Sequence, residues 1–208
     1  MPGQGELLTP SEAAVVADVS VRDVNRVIDE HILPESLYSL DGGRWLKSAV
    51  CTYVRFYFHT AKALTADQRS SVIHVLTATP RTAKRRRWTV EAEFLTVNLN
   101  RFVAETDACH ASLMRARQMV VEDPEILRGA PVLRGTRIPV YDIAAAVAAG
   151  QSPARLKAAY PDLDDERIAL ASLYAEANPP RGRPPVRGRA DAGLKLFSER
   201  KVARRPRR

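Results

Sequence analysis

The chain has 208 residues and a formal net charge of +8; 45% of its residues are hydrophobic and 27% are charged. This composition is typical of a globular protein and argues against a disordered or fibrous one. The charge is unevenly distributed. Residues 178–208 contain eleven Lys or Arg and two acidic residues, a net charge of +9, whereas the other 177 residues carry 21 basic and 22 acidic side chains. We therefore expect a nearly neutral folded body followed by a cationic segment.

Several classes of protein are disfavoured by the same inspection. The longest apolar run, residues 143–149, is too short to cross a bilayer, and the first ten residues lack the basic and apolar regions of a secretion signal. The two cysteines, Cys51 and Cys109, have no CxxC spacing, and the four histidines form no metal-ligand pattern. We expect a cytoplasmic protein with no metal, no cofactor, no membrane association and no catalytic residues.

Two short helices are predicted near the amino terminus. Thr9 precedes Pro10 and lies three residues before Glu12, which is the pattern of a capping box at the start of a helix. Ser20 is placed to cap a second helix. The apolar residues of that helix share one face and are Val21, Val24, Val27 and Ile28. The opposite face carries Arg22, Asn25, Arg26 and Asp29.

A β hairpin and two more helices follow. Two short apolar runs flank Asp41, Gly42 and Gly43, and Asp-Gly is a strong hairpin signal because the turn needs positive φ angles. Residues 47–58 are rich in large apolar side chains and predict a helix, and another begins near Thr65 and runs to about Leu76.

The succession of helix, turn, helix, hairpin and helix within residues 1–79 resembles the winged helix-turn-helix DNA-binding domain of MerR-type regulators. In that interpretation Ser20 and Arg22 lie near phosphate at the start of the second helix. Asn25 and Arg26 reach base edges in the major groove, and Arg44 on the wing contacts the DNA backbone. The alternative is a small helical domain in which these arginines are merely solvated.

Residues 80–121 are expected to form a strand-helix bridge or a dimerisation element. The run from Arg81 to Arg87 is either a solvated linker or a phosphate contact beside the first domain. Alternating apolar residues from Trp88 to Leu99 predict a strand, with a shift in register that suggests a bulge. From about Asn100 the spacing of the apolar residues becomes helical, and it predicts an amphipathic helix that continues to about Gln118.

Residues 122–178 predict a small helical domain resembling a helix-turn-helix, preceded by a short β run at 119–121. Gly135-Thr136 lies between two apolar dipeptides and suggests a hairpin closed by a type II′ turn. Three helices follow: residues 141–149, a helix capped by Ser152 that ends near Tyr160, and a helix that begins at the acidic residues 164–166.

The segment DPEILRGAPVLRGTRIPVYDIAAAVAAGQSPARLKAAYPDL is very similar to the bacterial family called domain of unknown function 433. Members of this family resemble antitoxins of the VapB type, which pair with PIN-domain ribonuclease toxins, and a form with an upstream MerR-like domain fits the pattern. Arg134 and Arg137 suggest phosphate or partner contact. We favour the alternative that this Gly- and Pro-rich stretch fixes a hairpin and positions the next helix.

Residues 179–208 are expected to be disordered alone, because prolines and glycines prevent a helix or a core. The apolar residues Leu194, Leu196 and Phe197 lie within this basic tail and suggest a segment that folds on a partner. The resemblance implies a partner whose acidic residues hold a metal, and guanidinium groups pair well with carboxylates. The residues expected to bind the toxin are Arg181, Arg183, Arg187, Arg189, Leu194, Leu196, Phe197 and Arg200. The alternative is a tail that raises nonspecific nucleic-acid affinity.

Together these patterns predict a mainly α protein with short β hairpins: a winged helix-turn-helix, a small helical domain and a basic tail. The function that fits best is a cytoplasmic antitoxin that neutralises a PIN-domain ribonuclease and represses its own operon, binding operator DNA as a homodimer. The principal alternative is a DNA-binding regulator without a toxin partner.

Overall fold

A computed structural model of the chain describes residues 7–78, 89–92 and 95–180. This part is mainly helical, with a few short antiparallel strands. The helices are α1 (Pro10–Ala17), α2 (Val21–Asp29), α3 (Val50–His59), α4 (Ala66–Ala78), α5 (Asn100–Met119), α6 (Val140–Ala148), α7 (Pro153–Ala159) and α8 (Asp165–Ala177). The strands are β1 (Leu7–Leu8), β2 (Tyr38–Ser39), β3 (Trp45–Lys47), β4 (Thr89–Ala92), β5 (Leu95–Asn98), β6 (Val120–Val121) and β7 (Val132–Leu133). The expected disorder of the basic tail falls on residues outside the described ranges, apart from Pro179 and Pro180.

Local capping fixes the first two helices where the sequence predicts them. The Thr9 side chain accepts from the Glu12 amide, and the Glu12 carboxylate accepts from the Thr9 amide at 2.9 Å, so the capping box is complete. Ser20 and Asp23 form the same reciprocal box at the start of α2. Asp18, with φ 54°, terminates α1 in the left-handed conformation and turns the chain into α2.

The β2–β3 hairpin follows α2 and gains a third strand that the sequence did not reveal. β1 pairs antiparallel with β3, so the strand order is β1-β3-β2. A strand of two residues has too little periodicity to be recognised, and its pairing depends on Leu8 being fully buried beside Leu46. The connection runs from residue 40 to residue 44, with Gly42 at φ 66° and Gly43 at φ 142°. It is therefore longer than the two-residue turn that Asp-Gly suggests.

One strand with a bulge is the wrong description of residues 88–99. The chain reverses instead, and β4 pairs antiparallel with β5 in a hairpin that sets Val90 opposite Val97. The change of register along the sequence therefore marks a reversal of the chain rather than a bulge. Trp88, residue 93 and residue 94 lie outside the described ranges.

Two hydrophobic clusters are connected by helix α8, and α5 reaches the second cluster only through the partly buried Met119 at its end. The first cluster extends from Leu8 through α1 to α4, and it also includes Leu99, Leu113 and Ala177. The long helix α5 therefore packs directly onto the N-terminal elements, where the Thr52 and Thr106 hydroxyls meet at 2.8 Å in the interior. The second cluster consists of Val120, Leu133, Val140, Ile143, Leu156, Leu163, Ile168 and Ala171. Since α8 packs against α1, α5 and α6, it joins the two clusters.

The β6–β7 hairpin leads into the second cluster through a turn that differs from the expected one. The Thr136 amide donates to the Leu133 carbonyl at 3.0 Å, which places Gly135 at the third position of the turn, with φ 77°. A type II′ turn needs glycine at the second position, so this turn is of type II and the expected type was wrong.

Candidate nucleic-acid interface

The polar side of α2 and the end of the adjoining hairpin form one continuous surface, which we call the α2 face. Its residues are Arg22, Asp23, Asn25, Arg26, Asp29, Glu30 and Arg44. Val24, Val27 and Ile28 bury the opposite side of α2 in the first cluster, which directs the polar side chains outward. The five residues predicted to bind DNA therefore lie on or beside one surface.

The side chains of the α2 face are mostly engaged with one another. The Ser20 hydroxyl is used in the helix cap, where it donates to Asp23 at 2.7 Å. Arg26 pairs with Glu30 at 2.8 Å, and this neighbour raises the pKa of the Arg26 guanidinium. Arg22 is exposed and, within the described ranges, has neither a hydrogen-bond nor an ion-pair partner. Arg22 is therefore the cation of this surface that is most available to a phosphate.

Arg44 is the last residue of the β2–β3 connection, directly before β3, and its guanidinium reaches α2. It donates from Nη1 to Asn25 Oδ1 and from Nη2 to Asp29 Oδ1, each at 2.8 Å. Asn25 in turn donates from Nδ2 to the Val21 carbonyl at 3.0 Å. The sequence interpretation assigned Arg44 to the DNA backbone and gave Asp29 no partner. A contact across 15 residues could not have been recognised from spacing within one helix.

The electrostatic character of the α2 face is balanced. Three arginines, at positions 22, 26 and 44, lie among three acidic residues, at positions 23, 29 and 30. Since nonspecific DNA affinity grows with the number of phosphates neutralised, this surface alone provides little of it. Its capacity for recognition lies in oriented hydrogen-bonding groups.

The hairpin also presents apolar side chains that the sequence interpretation did not single out. Leu40 is 59% exposed and Trp45 is 37% exposed, whereas Leu46, in the central strand β3, is fully buried. Alternation along β3 places Trp45 and Lys47 on the face opposite Leu46. This alternation is the sequence signal that could have identified Trp45 as an exposed residue.

A second contact region joins the N-terminal helices to the C-terminal ones, and we call it the junction. The Glu12 carboxylate, 2% exposed at the residue level, accepts from Arg117 of α5 with N–O distances of 2.9 and 2.5 Å. Nearby, the Tyr141 hydroxyl donates to the Asn178 carbonyl at 2.7 Å, so the end of α8 is tied to α6. The last described residues, Pro179 and Pro180, line a cavity together with Thr9 at the start of α1.

The cavity at Pro179 and Pro180 has a volume of about 680 Å³. Its lining includes Thr9, Glu122, Tyr174 and Pro180. Burial, followed by the negative charge of Glu122, raises the pKa of Tyr174 to about 12. All eight residues expected to bind a toxin, from Arg181 to Arg200, lie outside the described ranges.

The hairpin interpretation of Arg134 has structural support. Its guanidinium donates to the Gln118 carbonyl at 2.8 Å, and its amide donates to the Met119 carbonyl at 2.7 Å, so this residue fastens the turn at 133–136, directly after β7, to the end of α5. Arg137 is exposed.

Among residues 7–78, 89–92 and 95–180, no group of three or more His, Cys, Asp or Glu side chains is placed to hold a metal ion. Within the same ranges, no helix has both the length and the apolar character needed to cross a membrane.

Comparison with known proteins finds a family match in the C-terminal part of the chain. Residues 120–175, from β6 through most of α8, match the family described as Protein of unknown function (DUF433). No solved structure matches the chain.

The whole chain also has a close relative. It is 49% identical over 213 residues to the uncharacterized protein y4eO of Sinorhizobium fredii, and the alignment covers 99% of this chain and 96% of that protein. The chain therefore belongs to the same family as y4eO, and its match to the DUF433 model is confined to residues 120–175.

Proposed function

We propose that this protein is a DNA-binding antitoxin of a type II toxin-antitoxin pair. It neutralises a cognate PIN-domain ribonuclease through its basic C-terminal segment and represses its own operon in the cytoplasm as a homodimer. The observation that carries the proposal is the DUF433 match over residues 120–175, because members of that family resemble VapB-type antitoxins. The described fold and the distribution of charge support the two activities separately.

The DNA-binding activity is supported by the arrangement of the first 60 residues. A short helix, a tight turn and a second helix with an outward polar face are followed by an antiparallel hairpin, as expected for a MerR-like winged helix-turn-helix. Arg22, Asn25 and Arg26 lie on the outward side of α2, where a recognition helix carries its base and phosphate contacts.

The toxin-binding activity is supported by charge. Eleven basic residues follow Asn178 in a chain whose other 177 residues have a net charge of −1. Guanidinium groups make bidentate, charge-assisted hydrogen bonds with carboxylates, and a nuclease that binds metal through carboxylates provides such a target.

Co-expression with the nuclease encoded next to this gene tests the proposal. The full-length chain is expected to restore growth, and a chain truncated after Pro180 is expected to fail, because it keeps the described fold and loses the basic segment. The matched control is Arg155→Ala, which removes an exposed arginine of α7 and should protect fully. Growth restored by the truncated chain would reject the tail mechanism.

A DNA-binding regulator without a toxin is the second candidate, and the balanced charge of the α2 face favours it. In that case the basic segment supplies the nonspecific DNA affinity that the folded surface lacks. Truncation after Pro180 would then lower both the affinity for upstream DNA and its salt dependence. The chain would also not co-purify with the product of the neighbouring gene.

A further inference from the structure

We infer that Arg44 is a positioning residue that orients the Asn25 amide for reading a base, and that it is not a phosphate contact. This inference rests on the proposed DNA binding by α2. It concerns two residues on different elements: Asn25 on α2, the proposed recognition helix, and Arg44 at the end of the β2–β3 connection.

The two internal contacts of Asn25 determine which way its amide faces. Nδ2 donates to the Val21 carbonyl, and Oδ1 accepts from Arg44 Nη1. If the amide were turned over, Oδ1 would oppose the Val21 carbonyl oxygen, and Nδ2 would oppose a guanidinium nitrogen. Both of those contacts are repulsive, so the network permits one orientation.

The oriented amide keeps the groups that base recognition needs. Nδ2 carries two hydrogens, and one is used by Val21; Oδ1 accepts two hydrogen bonds, and one is used by Arg44. One donor and one acceptor therefore remain. Bidentate recognition of adenine in the major groove requires one of each, directed at N7 and at the N6 amino group.

The surroundings of Arg44 disfavour a contact with phosphate. Two of the five N–H donors of Arg44 are used in contacts with α2, and the ion pair with Asp29 offsets the guanidinium charge. A phosphate contact would have to compete with that pair. The planar fork of the guanidinium is what allows one side chain to hold Asn25 and Asp29 together, and a lysine ammonium has no equivalent geometry.

The experiment compares binding of the full-length chain to two DNA fragments at several salt concentrations. One fragment is the DNA immediately upstream of the gene, and the other is a scrambled sequence of equal length. The variants are Arg44→Ala, Arg44→Lys, Asn25→Ala, the double variant Asn25→Ala/Arg44→Ala, and the charge-matched double variant Arg44→Ala/Asp29→Asn. Arg22→Ala represents a phosphate contact. Thermal unfolding of each variant establishes that it is folded.

A positioning role predicts a loss of specificity without a loss of salt dependence. Arg44→Ala and the charge-matched double variant should each reduce the ratio of the two affinities by about tenfold. Arg44→Lys should not restore the ratio, and Arg44→Ala should have no further effect in the Asn25→Ala background. Arg22→Ala should instead keep the ratio and reduce the slope of log K against log salt by about 0.9.

The opposite pattern overturns the inference. If Arg44→Ala lowered the slope by about 0.9 and Arg44→Lys restored it, Arg44 would be a phosphate contact. If the effects of Asn25→Ala and Arg44→Ala were additive, the two residues would act independently. If the wild-type chain showed no preference for the upstream fragment, the proposed DNA binding would be rejected, and the positioning role with it.

Discussion

The junction and the α2 face both contain arginine–carboxylate pairs, but the two regions differ in exposure. At the junction the Glu12 side chain is 3% exposed, and it faces Arg117, which belongs to a helix about 100 residues further along the chain. On the α2 face the Arg44–Asp29 and Arg26–Glu30 pairs are open to solvent on both sides. All three are guanidinium–carboxylate ion pairs, and they differ in their exposure to solvent.

Burial makes the junction pair a requirement of the fold and leaves the α2 pairs available for recognition. A buried carboxylate that loses its partner retains the full cost of desolvation, whereas exposed partners are readily replaced by water. Glu12 also completes the capping box of α1, so one side chain fixes both the start of that helix and its packing against α5. The exposed Arg26–Glu30 pair can be exchanged for contacts with a ligand at little cost to stability.

The largest expected effect is at the junction. Glu12→Ala leaves Arg117 without its partner and removes the half of the capping box that accepts from the Thr9 amide, and we expect a loss of about 3 kcal/mol in the free energy of unfolding. Chemical denaturation measures this loss. Glu12→Gln retains the capping geometry but not the charge, and it should lose most of the same stability.

The matched control for that measurement is Glu30→Ala, which removes an exposed carboxylate from α2. Its unfolding midpoint should remain within experimental error of the wild type. Equal losses in the Glu12 and Glu30 variants would show that burial does not distinguish the two regions.

The second prediction concerns DNA affinity at the α2 face. Arg26→Ala should weaken binding to the upstream fragment about tenfold, because Arg26 lies on the outward face of α2 that we propose reads the groove. Glu30→Gln should strengthen binding, since it removes a negative charge near the phosphates and frees Arg26 from its partner. Gel-shift titration measures both. Unchanged affinity in a folded Arg26→Ala protein would remove that residue from the interface.

Local signals predicted the helix starts, and long-range contacts explain what the sequence did not reveal. The capping boxes at Thr9 and Ser20 involve residues three apart, so a pattern of four residues is sufficient to recognise them. The α5 and α8 helices were likewise predicted from their period and their starting residues.

The pairs that define the site join distant parts of the chain. Arg117 and Glu12 are 105 residues apart, and neither position has a local pattern that points to the other. The hydrogen bonds of Arg44 to Asn25 and Asp29 depend on how the hairpin packs against α2. The sequence could therefore predict which residues lie on the outward face of α2, but not that they are paired with one another.

The third prediction uses pH at the end of α8, close to the junction. The pKa of Tyr174 is raised to about 12, chiefly by burial and then by Glu122, whereas an unfolded tyrosine titrates near 10. The neutral phenol therefore contributes stability that is complete below about pH 10 and is lost as the pH rises towards 12. Tyr174→Phe should flatten the decline in stability over that range. If the variant and the wild type lost stability in parallel, the group responsible would lie elsewhere.

The smallest expected effect provides the strictest test of the comparison between the two regions. The Arg26–Glu30 pair spans one turn of α2, and both side chains are about half exposed, at 53% and 51%. Water and salt screen such a pair, and holding two long side chains together costs conformational entropy. A double-mutant cycle with Arg26→Ala and Glu30→Ala, measured by chemical denaturation, should therefore show no resolvable coupling at physiological salt. Coupling comparable to that between Glu12 and Arg117 would mean that the α2 face is part of the structural framework, and its pairs would then not be free to exchange for DNA.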